Sequence, residues 1–94
     1  MATVIAIKVT NGEEWIGKHQ PSLHDDGKIT LQDPRRLMLT RTQKGEGLML
    51  APIFMSAVDL PSVTIPAAHI VAVIEVDAAF EKDYLQEVSG IQLV

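Results

Sequence analysis

Cysteine is absent from the 94 residues, so the chain has neither a disulfide framework nor a thiolate ligand for zinc. Aromatic residues are scarce, with one tryptophan, one tyrosine and two phenylalanines, and we expect them to serve mainly in the core. No apolar run approaches the roughly 20 residues that a membrane helix requires, and no basic leader precedes the apolar residues near the N-terminus. These absences predict a soluble, cytoplasmic protein that does not enter the membrane.

Signatures of catalysis and of metal binding are missing as well. No nucleophile lies in a recognisable elbow, and there is no glycine-rich phosphate loop. Glu13 and Glu14 would point to opposite faces of a strand, so they cannot act as a carboxylate pair. His24, Asp25 and Asp26 supply too few oxygens for a hard cation without a partner element. We therefore predict no catalytic residue, no metal and no cofactor.

Charge and hydropathy limit the possible partners of the chain. Twelve acidic and eight basic residues give a formal net charge of −4, which repels a phosphate backbone unless cations cluster on one face. Five of the eight basic residues lie between Lys28 and Lys44, which suits either a nucleic-acid face or solvated loops. With 47% apolar residues and a mean hydropathy of +0.17, we predict self-association, the alternative being an aliphatic-rich core.

The first part of the chain has the pattern of a β-hairpin. Residues 3–9 are rich in β-branched side chains and are followed by Asn11-Gly12, a turn pair that tolerates positive φ. Residues 13–19 form a second predicted strand. Gly17 within it indicates a bulge or a sharp bend, because a missing side chain lets the sheet fold over itself.

The middle of the chain predicts a long, interrupted strand. Residues 28–32 alternate polar and apolar side chains, as a half-buried strand does. Asp33-Pro34 then predicts a kink, after which residues 35–41 continue in extended conformation. Residues 43–47, with two glycines, are typical of an exposed hairpin loop.

The most apolar segment, residues 48–55, contains Pro52. Proline cannot donate a hydrogen bond to a strand ladder, so this segment is predicted to be an edge strand or a bulge. An apolar edge needs a partner strand if it is not to aggregate. Residues 63–76 are long for one strand, and the inserted Pro66 predicts two short strands joined by a tight turn at residues 66–69.

One helix is predicted near the C-terminus. Asp77 is a favourable N-cap residue, and Gly90 is a plausible terminator. The helix would carry one apolar stripe, formed by Phe80, Tyr84, Leu85 and Val88.

Two of these segments resemble the two sequence motifs of the Sm-like family, which includes eukaryotic Sm and Lsm proteins and bacterial Hfq. The residues that match the first motif and the strand after it are Val9, Gly12, Trp15 or Ile16, Gly17, Asp25 or Asp26, Ile29 and Leu31. The residues that match the second motif are Ile65, Pro66-Ala67, Ala68-His69, Ile70 and Val73. With its C-terminal helix, the chain looks most like the Sm-like proteins that phages carry.

The resemblance implies a mainly β fold and a ring. Residues 1–76 would be an Sm-like domain, a strongly bent five-stranded antiparallel sheet that forms a small open barrel. Residues 77–94, the helix and tail, would pack on the same domain. The family forms rings, so we expect about five to eight copies of the chain to form a homo-oligomer. Such a ring would bind or remodel RNA, with single-stranded RNA at one mouth.

Site residues follow from the same resemblance. The loops at the pore would place Lys28, His69 and Asp26 next to RNA, with Arg35 and Arg36 as peripheral nucleic-acid contacts. Subunit contacts would involve Leu48, Leu50, Ile53, Ile70 and Val73. Each cation also has another interpretation. His69 would close a turn, Lys28 would be a solvated loop residue, and Arg35 and Arg36 would form ion pairs with an acidic neighbouring subunit.

Three departures from the family keep a second function open. Pro66-Ala67 stands where Sm and Lsm rings have the Arg-Gly that lines the RNA-binding pore, and the Lys-His of Hfq is absent too. Lys28 stands where the family usually has asparagine, and the family's N-terminal helix is missing. The alternative is a ring-forming structural or protein-interaction module that binds no nucleic acid.

Overall fold

The computed structural model describes residues 3–19, 27–57 and 60–89, and it is mainly β. In chain order the elements are β1 (Thr3–Val9), β2 (Glu14–His19), β3 (Lys28–Thr42), β4 (Gly45–Ala51), β5 (Ser62–Pro66), a 3₁₀ turn η1 (Ala67–His69), β6 (Ile70–Glu75) and α1 (Ala78–Ser89). Their positions confirm the predicted order of strands followed by a C-terminal helix.

All the strands belong to one antiparallel sheet with the order β4-β3-β2-β1-β6, and β5 pairs with β3. β4 and β5 follow each other along the same edge of the long strand β3, β4 beside its C-terminal half and β5 beside its N-terminal half. The sheet is bent but not closed. Its described part has six strands where the Sm-like resemblance implied five. The turn η1 divides residues 62–75 into β5 and β6, as the inserted Pro66 predicted.

The turn between β1 and β2 follows from local chemistry. The main-chain nitrogen of Gly12 donates to the carbonyl oxygen of Val9 at 2.9 Å, and that of Glu13 donates to Oδ1 of Asn11 at 2.9 Å. Gly12 has a φ of 90°, in the left-handed region that glycine adopts without strain. The predicted hairpin turn is confirmed.

Gly17 lies where the sheet bends. The register between β2 and β3 shifts between Ile16 and Lys18, on either side of this glycine. A Cβ atom built at Gly17 would lie 2.7 Å from the Cβ of Leu31 and 3.2 Å from the carbonyl oxygen of Gln32. The missing side chain therefore allows β3 to approach β2 closely, as the sequence predicted.

β3 kinks at Asp33 and Pro34, opposite the same register shift. Asp33 has a φ of 50°, and its main-chain nitrogen donates to the carbonyl oxygen of Pro61 at 2.9 Å. Its carboxylate lies 3.0 Å from Nζ of Lys18. The main-chain nitrogen and the carboxylate of Asp33 are thus both held by partners. These contacts maintain, at the predicted kink, a backbone conformation that is unfavourable for a residue other than glycine.

β4 is an edge strand, as predicted, and it ends at Ala51, immediately before Pro52. The hairpin that precedes it is tighter than expected. Thr42 pairs with Gly45, so only Gln43 and Lys44 lie outside the strands. The predicted loop at residues 43–47 was therefore too long, since the two glycines and Glu46 are part of β4.

Apolar side chains pack in two clusters, one on each face of β1. The first contains Ile5, Ile7, Val9, Leu31 and Ile65, with Trp15, Ile29, Val63 and Ile70 packed against it. The second contains Val4, Ile16 and Tyr84, with Leu50, Val76, Phe80 and Val88 around them. β1 is buried over most of its length because the sheet covers one of its faces and α1 covers the other.

α1 begins as predicted. Oδ1 of Asp77 accepts a hydrogen bond of 2.8 Å from the main-chain nitrogen of Phe80, which is an N-cap contact. Tyr84 is fully buried, whereas Leu85 is 37% exposed and lies outside the packed cluster. Of the predicted apolar stripe, Phe80, Tyr84 and Val88 pack on the sheet, whereas Leu85, which follows Tyr84 directly, is rotated away from it. The predicted terminator Gly90 and the tail lie outside the described residues.

Candidate functional site

Two of the predicted pore residues lie at the same 3₁₀ turn. Lys28 pairs with Pro66, and the main-chain nitrogen of Ala67 donates to the carbonyl oxygen of Gly27 at 2.7 Å. At the other end of the turn, the carbonyl oxygen of His69 accepts a hydrogen bond of 3.1 Å from Thr10. The side chains of Lys28 and His69 are both exposed at this end of the sheet.

Thus η1 is held by main-chain contacts to two other loops, with Lys28 at one end of the turn and His69 at the other. Asp26, the third predicted pore residue, lies outside the described residues. The turn that His69 was predicted to close is present, but its hydrogen bond uses the main chain. The imidazole and the Lys28 ammonium group both face solvent, where a ligand can reach them.

The two adjacent arginines of β3 have contacts within the chain. Nη1 of Arg36 lies 3.6 Å from Oε2 of Glu13, and Nη1 of Arg35 donates to the carbonyl oxygen of Pro34 at 2.8 Å. In the single chain the acidic partner of Arg36 is therefore Glu13, and an ion pair with a neighbouring subunit stays a prediction. Both arginines are half-buried, which leaves part of each guanidinium group accessible.

Glu13 also explains the position of the tryptophan. The indole Nε1 of Trp15 donates to Oε1 of Glu13 at 3.0 Å, and Trp15 is the cross-strand partner of Arg36. One carboxylate thus links the indole and the guanidinium group across β2 and β3. Trp15 packs against the first apolar cluster, so it serves the core and is not an open stacking platform.

Exposed apolar side chains concentrate on two strands that have a free edge. On the β3–β4 hairpin, Leu39 and Leu48 are ladder partners and are 67% and 62% exposed. β2 pairs with β3 only as far as Leu37, so the hairpin extends beyond its neighbour. On β6, Val71 is 65% exposed and Val73 is 48% exposed. Both edges of the described sheet therefore present apolar surface to solvent.

The predicted subunit-contact residues divide into two groups. Leu48 and Val73 are exposed, as a contact with another subunit requires. Leu50, Ile53 and Ile70 are half-buried within the subunit; Leu50 packs near α1, and Ile70 packs against the first apolar cluster. Exposed apolar residues that the sequence did not single out for a subunit contact include Leu39, Val71 and Ile74.

A groove beside α1 contains residues that were not identified from the sequence. Its larger part, about 670 Å³, lies between α1 and the β3–β4 hairpin, and a second part of about 380 Å³ extends to the end of β6. The two parts share Leu37, Leu48 and Phe80. We call them together the acidic groove, because Asp83 and Glu87 line one part and Glu14, Glu75 and Asp77 line the other.

A sequence signal for this groove existed on the helix. Phe80, Asp83 and Glu87 are spaced i, i+3 and i+7, so they share one face of α1. That face shares Phe80 with the apolar stripe and adds two carboxylates. No sequence pattern indicated the strand residues of the groove, because they come close to α1 only through the pairing of β3 with β4.

The sequence matches no protein-family model and no curated protein at a significant level.

Other classes of site have no counterpart in the part of the chain that the structure describes. Across residues 3–19, 27–57 and 60–89, no three His, Cys, Asp or Glu side chains are grouped to hold a metal ion. Over the same ranges, no helix is long and apolar enough to cross a membrane.

Proposed function

We propose that the chain is one subunit of a homo-oligomeric, Sm-like ring of about five to eight subunits that binds or remodels RNA. One observation carries the proposal. Both free edges of the described sheet expose apolar side chains, Leu48 and Met49 on β4, and Val71, Val73 and Ile74 on β6. A soluble monomer would leave this surface in contact with water.

Pairing the edge of β4 with β6 of a neighbouring subunit would have two stabilising effects. It would satisfy main-chain groups that have no ladder partner, and it would cover the apolar side chains of both edges. Because the two edges differ, the contact is heterologous, so it either closes into a ring or grows into a fibre. The bent sheet and the short turn η1 between β5 and β6 support a small open barrel as the form of each subunit.

Single-stranded RNA is the proposed ligand of this ring, at the end of the sheet that carries η1. Lys28 and His69 are exposed there and lie at the two ends of the same turn. In a ring, one copy of each per subunit becomes a circle of cations and imidazoles, which multiplies a small local charge. Arg35 and Arg36 would add peripheral contacts through the accessible parts of their guanidinium groups.

A second candidate is a ring-forming structural or protein-interaction module without nucleic acid. The acidic groove favours it, because five carboxylates on one surface repel phosphates. The net charge of −4 and the presence of Pro66-Ala67 in place of a basic pore motif point the same way. Both candidate functions require the oligomeric ring, and they differ in the ligand that the ring binds.

Two measurements on the unmodified protein separate these possibilities. Light scattering coupled to size-exclusion chromatography at micromolar concentration should give the mass of a closed oligomer, and a stable monomer would overturn the ring. Fluorescence anisotropy with labelled single-stranded RNA oligonucleotides at low salt should then show binding. A stable ring that binds none of them would favour the second candidate.

A further inference from the structure

The acidic groove combines an apolar floor with charge of a single sign. Leu37, Leu50 and Phe80 are half-buried and form the floor between β3, β4 and α1. Five carboxylates line its two parts, and among the described residues that line them there is no lysine, arginine or histidine. Such a surface favours a ligand that carries both positive charges and apolar groups.

The carboxylates of the groove on α1 and β6 are available for a partner, whereas Glu14 on β2 lies opposite Lys8 of β1. The ion pairs Lys18–Asp33 and Arg36–Glu13 involve none of them. Asp83, Glu87 and Glu75 are exposed, and Glu14 is half-buried. Asp77 already caps α1 through Oδ1, so it contributes mainly its charge. A cationic ligand would offset the repulsion among these like charges.

We propose that the acidic groove binds a basic, amphipathic segment of a partner protein. Apolar side chains of that segment would contact Leu37, Leu50 and Phe80, and its lysines and arginines would meet Asp83 and Glu87 on one flank and Glu14 and Glu75 on the other. Because Phe80, Asp83 and Glu87 run along α1, the bound segment lies beside this helix. Neither Lys28 nor η1 lines the groove, so this interaction does not depend on the proposed RNA site. Leu48, Met49 and Ile74 also line the groove but belong to the proposed subunit contact, so the segment binds on the side of the groove next to α1.

Two other occupants fit the groove less well. Nucleic acid would bring phosphates next to five carboxylates. A second copy of the chain could offer the tip of its β3–β4 hairpin, where Leu39 lies near Arg41 and Lys44. That tip also contains Glu46, so it would leave most of the carboxylate charge without compensation. A partner segment richer in lysine and arginine matches the groove better.

The probe is a fluorescein-labelled peptide of about 15 residues, long enough to form a helix, with leucines on one face and lysines on the other. We expect it to bind the unmodified protein, as followed by fluorescence anisotropy, and to bind less tightly as salt increases. A peptide with glutamate in place of each lysine should not bind. Equal binding of the two peptides would overturn the proposal.

Matched variants locate the binding site. Glu87→Lys should weaken binding of the leucine–lysine peptide by about tenfold or more, whereas Glu81→Lys, with the same change of charge on the same helix but outside the groove, should leave it nearly unchanged. Equal losses in the two variants would mean non-specific attraction and would overturn the site. If Glu87→Lys instead alters the mass of the oligomer and leaves peptide binding intact, a second copy fills the groove and the proposal fails. RNA binding by Glu87→Lys, measured in parallel, shows whether the two sites are independent.

Discussion

The hydroxyl of Tyr84 donates a hydrogen bond of 2.6 Å to the main-chain carbonyl oxygen of Asp33. The carbonyl oxygen of Gln32 lies 3.2 Å from the same hydroxyl. Asp33 occupies the kink of β3, where its φ is 50°. One fully buried side chain of α1 therefore covers polar main-chain atoms at the bend of the sheet. The helix and the kink stabilise each other through this contact.

Replacing Tyr84 by phenylalanine tests that contact. Tyr84→Phe keeps the aromatic ring but removes the hydroxyl that donates to the carbonyl oxygen of Asp33, so the free energy of unfolding should fall by about 1–3 kcal/mol. Urea denaturation at one fixed protein concentration measures it, since the stability of an oligomer depends on concentration. Leu85→Ala on the exposed side of α1 should change the free energy by only about 0.5 kcal/mol. Equal effects of the two substitutions would contradict the assigned contact.

The same hydroxyl predicts how stability depends on alkaline pH. Burial raises the pKa of the Tyr84 hydroxyl above its ordinary value of 10.0, and the negative charge of Asp33 raises the pKa further. Above about pH 10 the unfolded chain loses this proton while the folded chain keeps it, so ionisation favours unfolding. The contribution of this pKa shift to the free energy of unfolding is complete below about pH 10 and is lost as the pH rises further.

The free energy of unfolding should therefore decrease more steeply above about pH 10 in the unmodified protein than in Tyr84→Phe. Because the sequence contains a single tyrosine, the ultraviolet absorbance of tyrosinate follows this one group. Ionisation of the tyrosine in the folded protein at its ordinary pKa would contradict the prediction.

Gly17 is predicted to tolerate no side chain. In Gly17→Ala the added Cβ would approach the Cβ of Leu31 to 2.7 Å and the carbonyl oxygen of Gln32 to 3.2 Å, so the backbone of β2 or β3 would have to shift. Such overpacking should reduce the free energy of unfolding by about 1–3 kcal/mol. The control is Gly47→Ala on β4, where nothing lies within 4 Å of an added Cβ. Thermal melts that show the same shift for both variants would contradict the close approach.

Charges placed on either edge should dissociate the proposed ring. Val71→Lys on β6 and Leu48→Lys on β4 each put a solvated ammonium group where apolar surfaces would meet, so both should lower the oligomer mass. Leu85→Lys, on the exposed side of α1, is the control and should leave the mass unchanged. Light scattering at several concentrations distinguishes these outcomes. Edge variants that keep the mass of the unmodified protein would place the subunit contact elsewhere.

RNA binding, as proposed, depends on the end of the sheet that carries η1. Lys28→Glu should abolish it and preserve the ring, because it reverses one charge per subunit in a circle of cations. For the unmodified ring, affinity should fall steeply between about 50 and 200 mM salt. Lys82→Glu makes the same change of charge on α1 and should have little effect. If Lys28→Glu and Lys82→Glu lose RNA affinity equally, net charge alone determines binding and Lys28 has no special role.

The local features of the fold were predictable because their causes are local. Asn11-Gly12 sets the first turn, Gly17 and Asp33-Pro34 set the bends, and Asp77 caps the helix. In each case one to three neighbouring residues fix the backbone through φ or through a side-chain hydrogen bond. The length of the β3–β4 turn was misjudged, since pairing in the hairpin drew both glycines into β4.

The sequence by itself determined where strands turn, where the sheet bends and where the helix begins. Tertiary structure decided which side of α1 is buried, so that Tyr84 reaches Asp33 while Leu85, the next residue, stays exposed. It also decided that Leu48 and Val71 lie on free edges, and that Glu14 and Glu87 border one groove. These relationships join residues far apart in the chain, and they depend on how strands pair and how the helix packs, which no local pattern specifies.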